Sequence, residues 1–122
     1  MKNIFIALIL LVCSIGLSKE LTPGEQNKIA DAIKIVENSP KYPYGIRSIP
    51  IIGNTQLEKE QYARKICLNT IRHKFSDWNK AGAKDDFIEY LGSKYCPISD
   101  KNDKNHLNQN WVKNMKKILN KN

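Results

Sequence analysis

The sequence predicts a small all-α domain of about four helices, with an ordered apolar loop after the first helix and one disulfide. Three observations predict it. Two Thr-x-x-Glu capping signatures open stretches in which apolar residues recur at helical spacing. Three prolines and two glycines crowd into residues 40–54, which a regular helix cannot cross. Cys67 and Cys96 remain as an even pair once the N-terminal segment is set aside.

That segment, residues 1–18, reads as a secretory signal peptide. Lys2 supplies a positive start, and an apolar run follows from Ile4 to Val12. The run is far short of the roughly 20 residues that span a bilayer. Gly16 and Ser18 are small residues at positions −3 and −1 of a cut before Lys19. Cys13 after "LLV" loosely resembles a lipidation signal, but Val12 is large where a small residue normally stands. The remaining residues, 19–122, form one helical domain with 19 basic and 12 acidic residues, a balance of +7. In a secreted or periplasmic compartment the two cysteines are expected to pair. Closing that loop would contribute roughly 3–4 kcal/mol in the chain-entropy account.

The first helix is expected from Thr22-Pro23-Gly24-Glu25, where Thr caps, Pro occupies the first turn and Glu closes a capping box. Ile29, Ala32, Ile33 and Val36 share its inner face. The helix should stop near Asn38, because Pro40 disfavours helix at Ser39. Residues 40–54 follow, with two tyrosines and four isoleucines. That is too apolar for a disordered linker, so an ordered loop packed on the domain is expected. Thr55 and Glu58 cap a second helix running to about Lys80. Leu57, Cys67, Leu68, Ile71, Phe75 and Trp78 give it a broad apolar face, as suits a central helix. A third helix should bury Phe87, Ile88, Leu91 and Tyr95, with Gly92 loosening it and Pro97 ending it. A polar loop leads to a last helix starting near Asn108 or Asn110. There Trp111, Met115 and Ile118 face inward, flanked by Val112 and Leu119, and Lys113, Lys116 and Lys117 face solvent.

Candidate chemistry is sparse. His73 and His106 are isolated, and no Cys/His cluster has zinc spacing. Residues 100–105, "DKNDKN", break the calcium-loop pattern at Lys104. No metal and no cofactor are therefore expected. No Ser sits in a nucleophile elbow. Glu37 stands out. It lies in the last turn of the first helix, where a carboxylate opposes the macrodipole. It also borders the apolar stripe beside Ile33 and Ala30, and partial burial there would raise its pKa, as a general acid requires.

Residues 29–46, "IADAIKIVENSPKYPYGI", resemble the start of lysozyme-like lytic transglycosylase domains. Val36-Glu37 stands where that family carries its Val-Glu dipeptide, with Asn38-Ser39 in place of the following Ser. Residues 43–46, "PYGI", look like a Pro-Tyr-Ala-Ile stretch of some phage-associated members. The match covers under a fifth of the chain. The family's Gly-Leu-Met-Gln-type groove segment and later Asn-Gly-rich turn are not recognisable. The resemblance implies that Glu37 is the catalytic acid and leaves room for a lysozyme-like α+β fold.

The leading expectation is a secreted or periplasmic peptidoglycan-cleaving domain with Glu37 as its single general acid/base. Lytic transglycosylases need one carboxylate because the sugar's own groups complete the reaction, unlike the two-carboxylate glycosidases. Tyr42, Tyr44 and Arg47 would stack on sugars and hold anionic peptide stems. The positive balance suits peptidoglycan or another anionic envelope component. No nucleic-acid partner and no stable membrane insertion of the mature chain are expected. The alternative is a non-enzymatic secreted binding module or inhibitor, in which Glu37 is incidental. A cleft lined by Tyr42, Tyr44 and a helix face favours the enzyme, and a convex, solvated Glu37 favours the module.

Overall fold

The computed structural model describes residues 20–95 and 110–121. The expected export signal, Cys13, Cys96, His106 and the 100–105 loop lie outside the described residues. Within them the protein is all-helical: α1 (Pro23–Glu37), a 3-10 turn (Pro43–Gly45), α2 (Gln56–Lys80), α3 (Phe87–Tyr95) and α4 (Trp111–Leu119).

α1 starts where its capping box dictates. Thr22 Oγ1 accepts from the Glu25 N–H at 3.1 Å, and Glu25 Oε1 accepts from the Thr22 N–H at 2.8 Å. It ends at Asn38, whose left-handed backbone (φ 40°) turns its N–H back to the Lys34 carbonyl. Ile29, Ala30, Ala32 and Ile33 are buried along one face. α2 is capped by Thr55, which accepts from the Glu58 N–H at 3.1 Å.

The helices close a four-sided arrangement. α1 and α3 each pack against both α2 and α4, and the 3-10 turn wedges against α1 and α2. At one end Phe75, Trp78 and Phe87 form an aromatic cluster with ring centroids 5.0 to 5.6 Å apart. The Trp78 indole donates to the Asp85 carbonyl at 2.8 Å, satisfying the one polar atom of a buried side chain.

Several expectations need correction. Leu57 is 64% exposed, because it lies in the first turn of α2, beyond the reach of the packed faces. Ala63 takes its place in the core. Gly92 does not loosen α3; it lets α4 approach. A Cβ there would lie 2.5 Å from Val112 Cγ2 and 3.1 Å from Trp111 Cε3. In α4, Leu119 is buried and Ile118 only partly so. Lys116 turns sideways to pair with Asp86 at 3.2 Å, while Lys113 and Lys117 are exposed. Among the described residues Cys67 is a buried thiol without a disulfide partner, and Cys96, its expected partner, lies outside them. The Cys67 thiol is hydrogen-bonded to Tyr95, and burial pushes it up to about 12, which keeps it in the unreactive protonated form.

Candidate functional site

Glu37 is the last residue of α1, and three elements converge on its carboxylate. From α4, the Trp111 indole N–H donates to Oε2 at 2.8 Å. From the 3-10 turn, Gly45 presents its Cα directly to the carboxyl group. A Cβ at that position would stand 2.6 Å from Glu37 Cδ and 2.9 Å from Cγ. Gly45 also has φ +71°, so both space and backbone require glycine there. From the loop, Arg47 contributes a positive charge.

The turn that delivers Gly45 follows from its sequence. Pro43 fixes the first residue, and Tyr44 adopts a left-handed conformation (φ 59°). The Gly45 N–H returns to the Tyr42 carbonyl at 2.8 Å, and the Ile46 N–H to the Pro43 carbonyl at 3.2 Å. A left-handed aromatic residue costs of order 1–3 kcal/mol and persists only where its surroundings fix it. They do so here from two sides. Arg64 of α2 donates to the Tyr44 hydroxyl at 2.9 Å while also holding Asp31 at 2.9 Å and Asn27 at 3.0 Å on α1. The Tyr95 hydroxyl at the end of α3 donates to the Tyr44 carbonyl. Tyr95 in turn stacks on Trp111, with centroids 5.5 Å apart and planes 23° from parallel. Glu37, Trp111, Tyr95, Tyr44 and Gly45 thus form a closed circuit around one carboxylate.

Glu37 is half-buried. Burial pushes its carboxyl above the ordinary glutamate range. The Trp111 hydrogen bond and the Arg47 charge pull the other way, and burial wins.

Beside this circuit runs a groove of about 230 Å³. One wall is the loop from Gly45 to Ile49. The floor is a stripe of α2, Ile66, Thr70 and Lys74, spaced four residues apart. Lys94 and Tyr95 of α3 form the far wall. Glu37 adjoins the groove through Gly45 and is not itself part of the lining. Among the described lining residues none is acidic, and three are cationic, Arg47, Lys74 and Lys94.

The residues singled out by sequence divide accordingly. Glu37 and Arg47 come together. Tyr42 is half-buried with the Arg47 guanidinium 4.3 Å above its ring, so one face is already covered. Tyr44 is not available to a ligand. It is 2% exposed and its hydroxyl is taken by Arg64, which makes it a positioning residue for Gly45 rather than a sugar-stacking one. Sequence reading did not find Trp111 as a partner of Glu37, nor Gly45, Tyr95, Arg64, Lys74 and Lys94 as parts of the site. The "PYGI" motif was the only local signal for Gly45.

Among the described residues no group of His, Cys, Asp or Glu is placed to hold a metal ion, and no helix is long and apolar enough to cross a membrane. His73 is exposed on α2. No family model, curated protein or solved structure matches this chain.

Proposed function

We propose that the protein is a peptidoglycan-cleaving enzyme of the lytic transglycosylase or lysozyme-like type, acting in the periplasm or outside the cell, with Glu37 as its general acid and base. The observation that carries this reading is the held, partly buried Glu37 carboxyl at the edge of a groove. Its elevated pKa favours the protonated form that a general acid needs. Trp111 occupies Oε2 as a donor, so the proton resides on Oε1, on the side of Gly45. Glu37 gives that proton to the glycosidic oxygen as the bond to the anomeric carbon breaks, and the leaving sugar departs as an alcohol. The resulting carboxylate then takes a proton from the attacking hydroxyl, which belongs to water or to the same sugar, and is restored. Among the described residues no carboxylate lines the groove to serve as a second catalytic group, in keeping with one-carboxylate chemistry.

The test is solubilisation of purified cell wall by the mature protein. Glu37→Gln keeps the side chain's shape and removes its titrating proton. It should lower the rate at least ~10²-fold, the usual contribution of acid–base catalysis, and leave the melting temperature nearly unchanged. Gln variants of Glu58, Glu60 and Glu89, which lie on α2 and α3 away from the circuit, should cleave like wild type. Cleavage by Glu37→Gln at the wild-type rate would refute the assignment.

A further inference from the structure

The groove carries charge that the one-glutamate chemistry does not use. Lys74 and Lys94 stand on different helices yet line the same groove as Arg47. Their partners leave them open to an anion. Lys94 lies 5.5 Å above the Tyr90 ring and Arg47 lies over Tyr42. Such contacts engage the face of a ring and leave the N–H groups pointing outward. Among the described residues neither is in an ion pair. Among the described residues Lys74 pairs only with Asp77, one turn along its own helix, at 3.8 Å. Thr70, one turn earlier on the same stripe, adds a hydroxyl. The stripe from Ile66 to Lys74 spans roughly 12 Å of helix. Three cations with no acid among the described lining residues, along a groove that begins beside a candidate glycan-cleaving acid, fit a ligand bearing several carboxylates.

Resting on the reading of Glu37 as a peptidoglycan-cleaving acid, we propose that Lys74 and Lys94, with Arg47, form a carboxylate subsite for the peptide stems of the glycan strand. The protein then selects strands whose stems are present with their carboxylates free. Stripped or amidated strands lack the groups that the groove receives. Ionic strength should weaken this selection, since the lysines are partly solvated.

The test uses the non-cleaving Glu37→Gln chain as a binding probe, sedimented with sacculi freed of phosphate polymers. Three substrates are compared: native sacculi, sacculi with stem carboxylates converted to amides, and sacculi with stems removed by an amidase. Binding should be about tenfold weaker on the second and third, the effect of two partly exposed ion pairs. Adding Lys74→Gln and Lys94→Gln should lower binding to native sacculi by the same factor and abolish the difference between substrates. Lys74→Arg with Lys94→Arg should restore it. A double variant of the exposed Lys113 and Lys117 to Gln, equal in charge change, should bind as the probe does. Equal binding to native and amidated sacculi would overturn the subsite. So would an equal loss from the Lys113/Lys117 control, or binding that appears only when phosphate polymers are left on the wall. The two readings fail separately. Wild-type cleavage that requires Glu37 but ignores amidation removes the subsite and keeps the enzyme. Carboxylate-dependent binding by a wild type that leaves every wall intact keeps the subsite and removes the enzyme.

Discussion

The two tryptophans of this protein are both buried, and both donate an indole hydrogen bond of 2.8 Å, yet their surroundings give them opposite roles. Trp78 sits among Phe75 and Phe87 and donates to the Asp85 backbone carbonyl. That acceptor never changes charge, so the bond serves only to satisfy a buried polar atom. Trp111 sits against Tyr95 and donates to Glu37, an acceptor that gains and loses a proton. The same side chain in the same type of bond supports the fold at one end and holds a titrating group at the other. What separates them is the partner's chemistry, not the burial.

Substitutions can break that contrast. The largest stability effect belongs to the aromatic end. Trp78→Ala removes a fully buried ring and should cost about 3–5 kcal/mol, read as a fall in the urea midpoint. Its residual folded fraction should retain cleavage per folded molecule. At the other end, Gly45→Ala forces a methyl group into the Glu37 carboxylate and imposes a left-handed alanine. It should cost about 1–2 kcal/mol and displace the acid. Cleavage should therefore fall well beyond what lost folding explains, as shown by comparing rate with far-ultraviolet circular dichroism on the same sample. Trp111→Phe is the gentlest. It keeps an aromatic ring beside Tyr95 and deletes the donor to Oε2. Stability should drop by about 0.5–1.5 kcal/mol, and the Glu37 pKa should rise further, because the lost hydrogen bond favoured the charged form. A carboxyl-detected NMR titration would check the direction. No movement would mean that the indole does not bear on the acid.

Much of the scaffold was legible in the residues themselves. Thr22, Pro23 and Glu25 encode the start of α1 in four consecutive positions, and Thr55 with Glu58 does the same for α2. Pro40 and the glycines mark where helix must stop. Glu37 was legible too, since its helix-end position and apolar border are both local. The rest of the site was not, because its contacts join residues far apart in sequence. Trp111 lies 74 residues from Glu37, and Tyr95 lies 51 from Tyr44. Periodicity reports that Trp111 faces inward but not what its N–H meets. Tyr44 misled for a related reason. A tyrosine in a Pro- and Gly-rich loop reads as a surface ring, and only the Arg64 clamp from α2 shows why this one turns in. Leu57 misled in the opposite direction, because an apolar residue in the first turn of a long helix can overhang its neighbours.

The most direct test of the central claim is the pH dependence of cell-wall cleavage, measured for wild type and Glu37→Gln side by side. Because burial raises the Glu37 pKa in the folded protein, the protonated acid and its contribution to stability are both fully present below the ordinary glutamate value. Both are lost as pH rises through the elevated one. The account predicts a wild-type rate that declines on that limb, with wild-type stability falling slightly relative to Glu37→Gln over the same range, while the variant stays at a low, flat rate throughout. A wild type that leaves purified wall intact from pH 4 to 8, or a Glu37→Gln chain that follows the same declining limb at the same rate, would contradict it.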